Sequence, residues 1–127
     1  MQDNLKIALH YLFIDLAIKT LELDLKHIRS GSFKIKSPYL EKIQTMIYVA
    51  IGERRKLKKI MYDQKIQIIF LYKQGNFSTY KFISKRNEQD ITLMNQLIKK
   101  KVEKVMKWLM QYQKEDKNPP FFSSQSF

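Results

Sequence analysis

The residues of this sequence that could do chemistry are its 24 lysines and arginines, which outnumber its 12 aspartates and glutamates. Closely spaced cationic side chains bind phosphates, because each neutralised phosphate releases counterions into solution. Three basic clusters stand out at residues 54–59, 81–86 and 99–107. The residues in them that we predict to bind nucleic acid are Arg54, Arg55, Lys56, Lys58, Lys59, Lys81, Lys85, Arg86, Lys99, Lys100, Lys104 and Lys107.

The charge is distributed unevenly along the chain. Residues 1–33 contain four basic and four acidic groups, so the formal net charge of +12 falls entirely on residues 34–127. This pattern indicates a neutral first segment used as core or assembly surface and a basic remainder that meets an acidic partner. A cationic surface that only keeps the protein soluble would explain the same composition.

Few residues could support catalysis or hold a cofactor. Three glycines are too few for a phosphate loop or a dinucleotide fingerprint, and the absence of cysteine removes thiolate nucleophiles and ligands. His10 lies in an apolar run and is predicted to be a core residue. Asp24 and His27 are one helical turn apart, which is explained more simply by an ion pair than by a zinc site. We therefore predict no enzyme activity, no metal and no cofactor, although a ribonuclease acting through Lys, Arg, Tyr and Glu stays open.

Two helices are predicted before the basic clusters begin. The first covers residues 4–27, with Asp3 as its cap and apolar residues on two stripes, so it must be covered on two sides by the rest of the domain or by a second copy. A homodimer through this helix is one hypothesis. The second helix covers residues 38–61, with Ser37 as its cap and Pro38 in its first position, and with a bend or break at Gly52.

Residues 65–83 are ambiguous between strand and helix. Two runs rich in β-branched and aromatic residues flank Gln74-Gly75-Asn76, which predicts a β-hairpin with a three-residue loop and Lys73 opposite Phe77. The alternative is a helix-turn-helix with Gly75 in the turn and the next helix as the DNA reader. In the hairpin, Tyr72, Phe77 and Tyr80 could stack on bases if their rings are exposed, although aromatic rings at strand spacing more commonly fill the core. Residues 33–36 alternate apolar and basic side chains and could form a short extra strand.

The last predicted helix begins near Glu88, with Asn87 as its cap and Asp90 completing a capping box, and runs to Tyr112. Its apolar stripe comprises Ile91, Met94, Ile98, Val102, Val105, Leu109 and Tyr112. Lysines line the opposite side. The complete prediction is an α+β fold, mostly helical, with three helices packed on a β-hairpin in the order α-α-β-β-α. One domain covers residues 1–113, and residues 114–127 form an extended tail.

The functional prediction is a small, cytoplasmic, non-enzymatic regulatory or accessory protein that binds an acidic surface. The acidic surface is predicted to be the phosphate backbone of nucleic acid, bound without base readout. The alternative is a protein-interaction module, an adaptor or inhibitor of an acidic protein, that uses the first helix, the basic face and the aromatic tail. Attachment of the last helix to a membrane surface is a third reading, and no integral membrane segment is predicted.

Overall fold

The computed structural model describes residues 2–112 and confirms the α+β class. Its elements are α1 (Gln2–Ser30), α2 (Ser37–Gln64), β1 (Gln67–Gln74), β2 (Phe77–Ser84), β3 (Asn87–Met94) and α3 (Asn95–Gln111). The sheet is antiparallel in the order β1-β2-β3, so it has one strand more than the predicted hairpin. The predicted tail, residues 114–127, lies outside the described residues.

Helix α1 is the central element of the fold, because it contacts α2, α3 and the sheet. Its buried apolar residues are Ala8, Leu12, Phe13, Ile14, Ala17, Ile18 and Leu21. Each fully buried large aliphatic side chain contributes about 1.5–3 kcal/mol to folding. The chain's own elements therefore cover the apolar stripes of α1, and these stripes no longer argue for a second copy. The predicted cap Asp3 lies inside the first turn of α1 and does not precede the helix.

Helix α2 is longer than predicted and continues through Gly52 without a break. A helical glycine costs about 1 kcal/mol relative to alanine, and burial of neighbours such as Ala50 and Leu57 offsets this cost. The predicted cap was wrong: Lys36 occupies the cap position, and no side chain caps the helix there. At the other end Lys65 adopts a left-handed φ of 56°, which ends the helix before β1.

The hairpin is confirmed, and the helix-turn-helix alternative is excluded, because residues 67–74 and 77–84 are paired strands. The predicted loop length was wrong, since Gln74 pairs with Phe77 and leaves a two-residue loop. Gly75, the first loop residue, has a φ of 57°. A glycine with positive φ at this position suits a tight hairpin turn whose twist matches that of the strands.

A bulge in β1 restores the predicted pairing farther from the turn. The register shifts between Phe70 and Tyr72, so Phe70 faces Tyr80 and Ile68 faces Phe82, as predicted. Because of the extra residue, Tyr72 is paired with Thr79. Tyr72 therefore lies on the opposite face of the sheet from Tyr80, whereas the predicted register placed both on one face.

Strand β3 replaces the first two turns of the predicted last helix. Asn87–Met94 pairs with β2 along all 8 residues, from Ser84 opposite Asn87 to Phe77 opposite Met94. Pairing with the free edge of β2 gives the backbone N–H and C=O groups of this segment hydrogen-bond partners. The segment therefore forms a strand although its local sequence pattern favours a helix. The backbone N–H of Asn95 then donates to the carbonyl of Asn76 at 2.8 Å, which anchors the start of α3 beside the hairpin turn. Residues 33–36 connect α1 to α2 and form no strand.

Helix α3 confirms the C-terminal half of the predicted apolar stripe. Ile98, Val102, Val105 and Leu109 are buried against the main core, whereas Met94, now in β3, is half exposed. Because these four side chains face the core, the opposite side of α3 must face solvent. Within residues 2–112, each helix is too polar or too short to span a lipid bilayer.

Candidate nucleic-acid interface

The twelve predicted site residues lie on three parts of the fold. Five are on α2 at residues 54–59, three are on β2 and the β2–β3 turn at residues 81–86, and four are on α3 at residues 99–107. Each group is held on a regular element or a tight turn, so its backbone position is fixed by folding.

Helix α3 presents four lysines around one open groove. The groove has a volume of about 390 Å³ and is lined by Leu97, Lys100, Lys101, Glu103, Lys104 and Lys107. Residues three and four apart on a helix are neighbours, so this spacing places the lysines on one surface, with Glu103 as the single carboxylate beside them. The groove thus offers several ammonium groups to one anionic ligand. Lys99 is exposed beside this groove but does not line it.

Lys101 extends the site beyond the residues predicted from the sequence. It is half-buried, and burial lowers its pKa from the usual value, with the neighbouring charge of Lys104 as the second cause. A lowered lysine pKa means that the charged form is disfavoured at this position. An anion in the groove would favour the charged form. The i, i+3 spacing of Lys101 and Lys104 is the sequence signal that could have found this residue.

Two of the five basic residues on α2 are engaged by carboxylates. The guanidinium Nη1 of Arg54 donates to Oδ1 of Asp15 on α1 at 2.8 Å, and Lys56 Nζ lies 3.2 Å from Oε1 of the buried Glu53. Arg54 thus links α2 to α1. The side chains of Arg55, Lys58 and Lys59 are exposed.

The contact with Asp15 changes what a substitution of Arg54 should do. From the sequence alone, replacing Arg54, Arg55, Lys58 and Lys59 with glutamine is expected to leave stability nearly unchanged. We now expect Arg54→Gln to lower the free energy of unfolding by about 1–2 kcal/mol, because a partly buried charged hydrogen bond is lost. Arg55→Gln, the matched exposed control, should stay within about 0.5 kcal/mol of the wild type. Urea titration measures both, and equal values would contradict a structural role for Arg54.

The third group is divided between an ion-pair network and an exposed turn. Lys81 Nζ lies 3.2 Å from Oδ1 of Asp90 and 3.9 Å from Oε2 of Glu88, both on β3. Lys85 and Arg86 form the exposed β2–β3 turn and border a shallow pocket. These two residues, and not Lys81, therefore present their charge to solvent.

The aromatic residues predicted to stack on bases are only partly available. Tyr80 is 6% exposed and its ring meets Phe70 edge to face, so it fills the core, as the alternative reading expected, and does not stack on bases. Tyr72 and Phe77 are about half exposed. Sequence reasoning missed Tyr48 and Tyr62 on α2, whose exposed fractions are 80% and 83%. Their helical spacing from Arg55 was the signal that could have found them.

Side chains that could hold a metal ion do not cluster in residues 2–112, where no three carboxylate or imidazole groups lie close enough together.

Comparison of the sequence with known proteins assigns the chain to a protein family. A family model described as "YhjD protein" matches residues 1–114. Searches of curated proteins and of solved structures each found no significant match. The family description names no activity, so it adds no substrate or partner. Because the match covers most of the chain, this protein belongs to the YhjD protein family.

Proposed function

We propose that this protein is a non-enzymatic accessory or regulatory protein that binds nucleic acid through phosphate contacts at the α3 groove. The observation that carries the proposal is the groove lined by Lys100, Lys101, Lys104 and Lys107. The proposed compartment is the cytoplasm, which the cysteine-free sequence suits.

The groove supports a polyanionic ligand better than a single small anion. Three of its lysines, Lys100, Lys104 and Lys107, fall within about 60° of one another around a 17-residue helix, so their charges form a line and not a closed pocket. A phosphate backbone is also a line of charges, and several phosphates can be neutralised together. The formal net charge of +12 would draw the same ligand toward the protein from a distance. Nothing in the groove favours base readout, so this binding is independent of sequence.

The test is a triple substitution of the groove lysines, Lys100→Gln, Lys104→Gln and Lys107→Gln. The matched control is Lys26→Gln, Lys34→Gln and Lys42→Gln, which removes the same charge from exposed lysines outside the groove. Fluorescence anisotropy with labelled oligonucleotides of random sequence, over a salt series, measures the affinity of each variant. The groove variant should bind roughly tenfold more weakly or worse, and its log–log salt slope should fall by about 2–3.

Two outcomes would overturn the proposal. Equal losses in the groove variant and the control would mean that net charge alone attracts nucleic acid. Wild-type protein that binds none of the oligonucleotides at low salt would remove nucleic-acid binding altogether.

The exposed edge of the sheet favours a second candidate function, protein interaction through a second copy of this chain. Strand β1 is an edge strand on which Ile69, Phe70, Leu71 and Tyr72 are 36–54% exposed. Unpaired edges with apolar side chains readily accept another strand. Lys73 is the only charged residue of β1, so two strongly cationic copies could meet here with little repulsion.

Light scattering after size exclusion tests this second candidate. A concentration-dependent dimer that Phe70→Lys abolishes would support it, whereas a wild-type monomer at all concentrations would refute it. Leu23→Lys, which adds the same charge at an exposed apolar site on α1, is the control.

A further inference from the structure

We propose that the solvent face of α2 binds single-stranded nucleic acid by stacking unpaired bases on Tyr48 and Tyr62. Arg55 and Lys59 lie between the two tyrosines and would hold the backbone phosphates. We call Tyr48, Arg55, Lys59 and Tyr62 the α2 row. The inference rests on the proposed function and adds to it a second binding surface and the strandedness of the ligand.

The four residues of the α2 row lie on one side of the helix. Their spacing of seven, four and three residues keeps them within about 60° of one another around the axis at 3.6 residues per turn. The buried residues Ala50, Leu57 and Met61 lie on the opposite side. The two tyrosines are 14 positions apart in the sequence, a span of about 21 Å along an α-helix. A strand of a few nucleotides could thus contact the whole row.

The exposure of the two tyrosines has no explanation in the packing of the helix. Tyr48 and Tyr62 are 80% and 83% exposed, so neither ring is buried in the core. Tyrosine also favours a helix less than lysine, glutamate or glutamine does, so the two rings bring no advantage in helix propensity. Large exposed rings beside cations are what a base-stacking surface needs.

An open depression lies next to the first tyrosine. It is lined by Tyr48, Val49, Ile51, Gly52, Glu53, Arg55, Lys56 and Tyr112. A side chain at Gly52 would meet nothing within 4 Å, so the backbone is open to approach at this point. A base stacked on Tyr48 would have room beside it, with Arg55 at the edge of the same depression.

Stacking on a side chain requires an unpaired base. In a duplex each base is stacked between its neighbours and shows only its edges to a protein, whereas the bases of a single strand can turn out onto aromatic rings. Cationic contacts alone would not distinguish the two forms. The tyrosines therefore predict a preference for single strands, while the groove lysines serve either form.

The test compares Tyr48→Ala/Tyr62→Ala with two controls. Tyr48→Phe/Tyr62→Phe keeps both rings, and Tyr39→Ala removes an exposed ring from the same helix outside the α2 row. Each protein is titrated with a 15-nucleotide single strand and with a duplex of the same length. The double alanine variant should bind the single strand roughly tenfold more weakly or worse. Its affinity for the duplex, and the affinities of both controls for either ligand, should change less than twofold.

The outcomes separate this inference from the proposed function. If the wild type binds duplex and single strand equally and the double alanine variant loses no affinity, the tyrosines do not stack and this inference fails alone. Equal losses on both ligands would also overturn it. If the wild type binds neither ligand, the proposed function fails as well.

Discussion

Lowering the pH from 7 to 5 is expected to reduce the free energy of unfolding by about 2 kcal/mol through His10 alone. His10 is 3% exposed, and burial lowers its pKa from 6.5 to about 4. The charges of Lys6 on α1 and Lys101 on α3 lower the pKa further. The folded protein therefore resists protonation of a histidine that the unfolded chain protonates readily.

The sign follows from this difference in proton affinity. Well above pH 6.5 the histidine is neutral in both states, and its full contribution to stability is present. As the pH falls below 6.5, protons bind to the unfolded chain first and favour it. The loss reaches about 3 kcal/mol near pH 4, the pKa of the folded state, and levels off below it.

The measurement is urea denaturation of the wild type and of His10→Leu at several values between pH 7 and pH 5. Leucine does not titrate, so the variant should lose much less stability than the wild type across this range. The comparison is made within each protein, because the substitution also changes core packing. Parallel curves for the two proteins would show that His10 does not control acid sensitivity.

The helices and their buried faces were largely predictable, because a long apolar stripe with helical spacing fits few other structures. The stripe of Ile98, Val102, Val105 and Leu109 recurs with helical spacing, and it packs in the core as expected. The two apolar stripes of α1 predicted packing on two sides of the helix, and α2, α3 and the sheet pack against it. Buried positions of this kind depend on the local pattern alone, so a single sequence reveals them.

Strand β3 was missed for a physical reason. Its residues Asn87, Glu88 and Asp90 match a helix start, and Ile91 and Met94 match a helical stripe. What decides the conformation is the free edge of β2, which offers backbone partners to the whole segment. That edge exists only in the folded hairpin, and the alternation of Ile91 and Leu93 with Thr92 and Met94 was too short to override the helical pattern. The bulge in β1 was not predicted for the same reason. It reconciles the two-residue loop with the pairing of Phe70 with Tyr80, and this depends on the folded hairpin as a whole.

The sequence identified the basic residues of the candidate site, but not which of them form ion pairs in the folded protein. Spacing alone places Lys100, Lys104 and Lys107 together, and they line one groove. The pairing of Arg54 with Asp15 and of Lys81 with Asp90 joins residues distant in sequence or on different strands. Such contacts could not be inferred from one sequence, and they change which cations face solvent.

Truncating Leu109 to alanine should have the largest effect on stability of the substitutions proposed, a loss of about 3 kcal/mol or more. Leu109 is 1% exposed and is part of the main core. Removing its branched end would leave a cavity that a close-packed core cannot fill without strain. Met110→Ala is the matched control, because Met110 follows directly in the chain and is 57% exposed. It should change the free energy of unfolding by about 0.5 kcal/mol or less.

The same pair of variants tests whether nucleic-acid binding requires α3 to stay packed against the core. The groove lysines face solvent because the buried stripe of α3 faces the core, so α3 must stay docked for them to act together. At a temperature where Leu109→Ala is still folded, its affinity for oligonucleotides should equal that of the wild type. As the temperature rises, affinity should fall with unfolding in this variant earlier than in Met110→Ala, monitored by circular dichroism and anisotropy on the same samples. Binding that persists after the helix unfolds would show that charge alone, without the folded groove, holds the ligand.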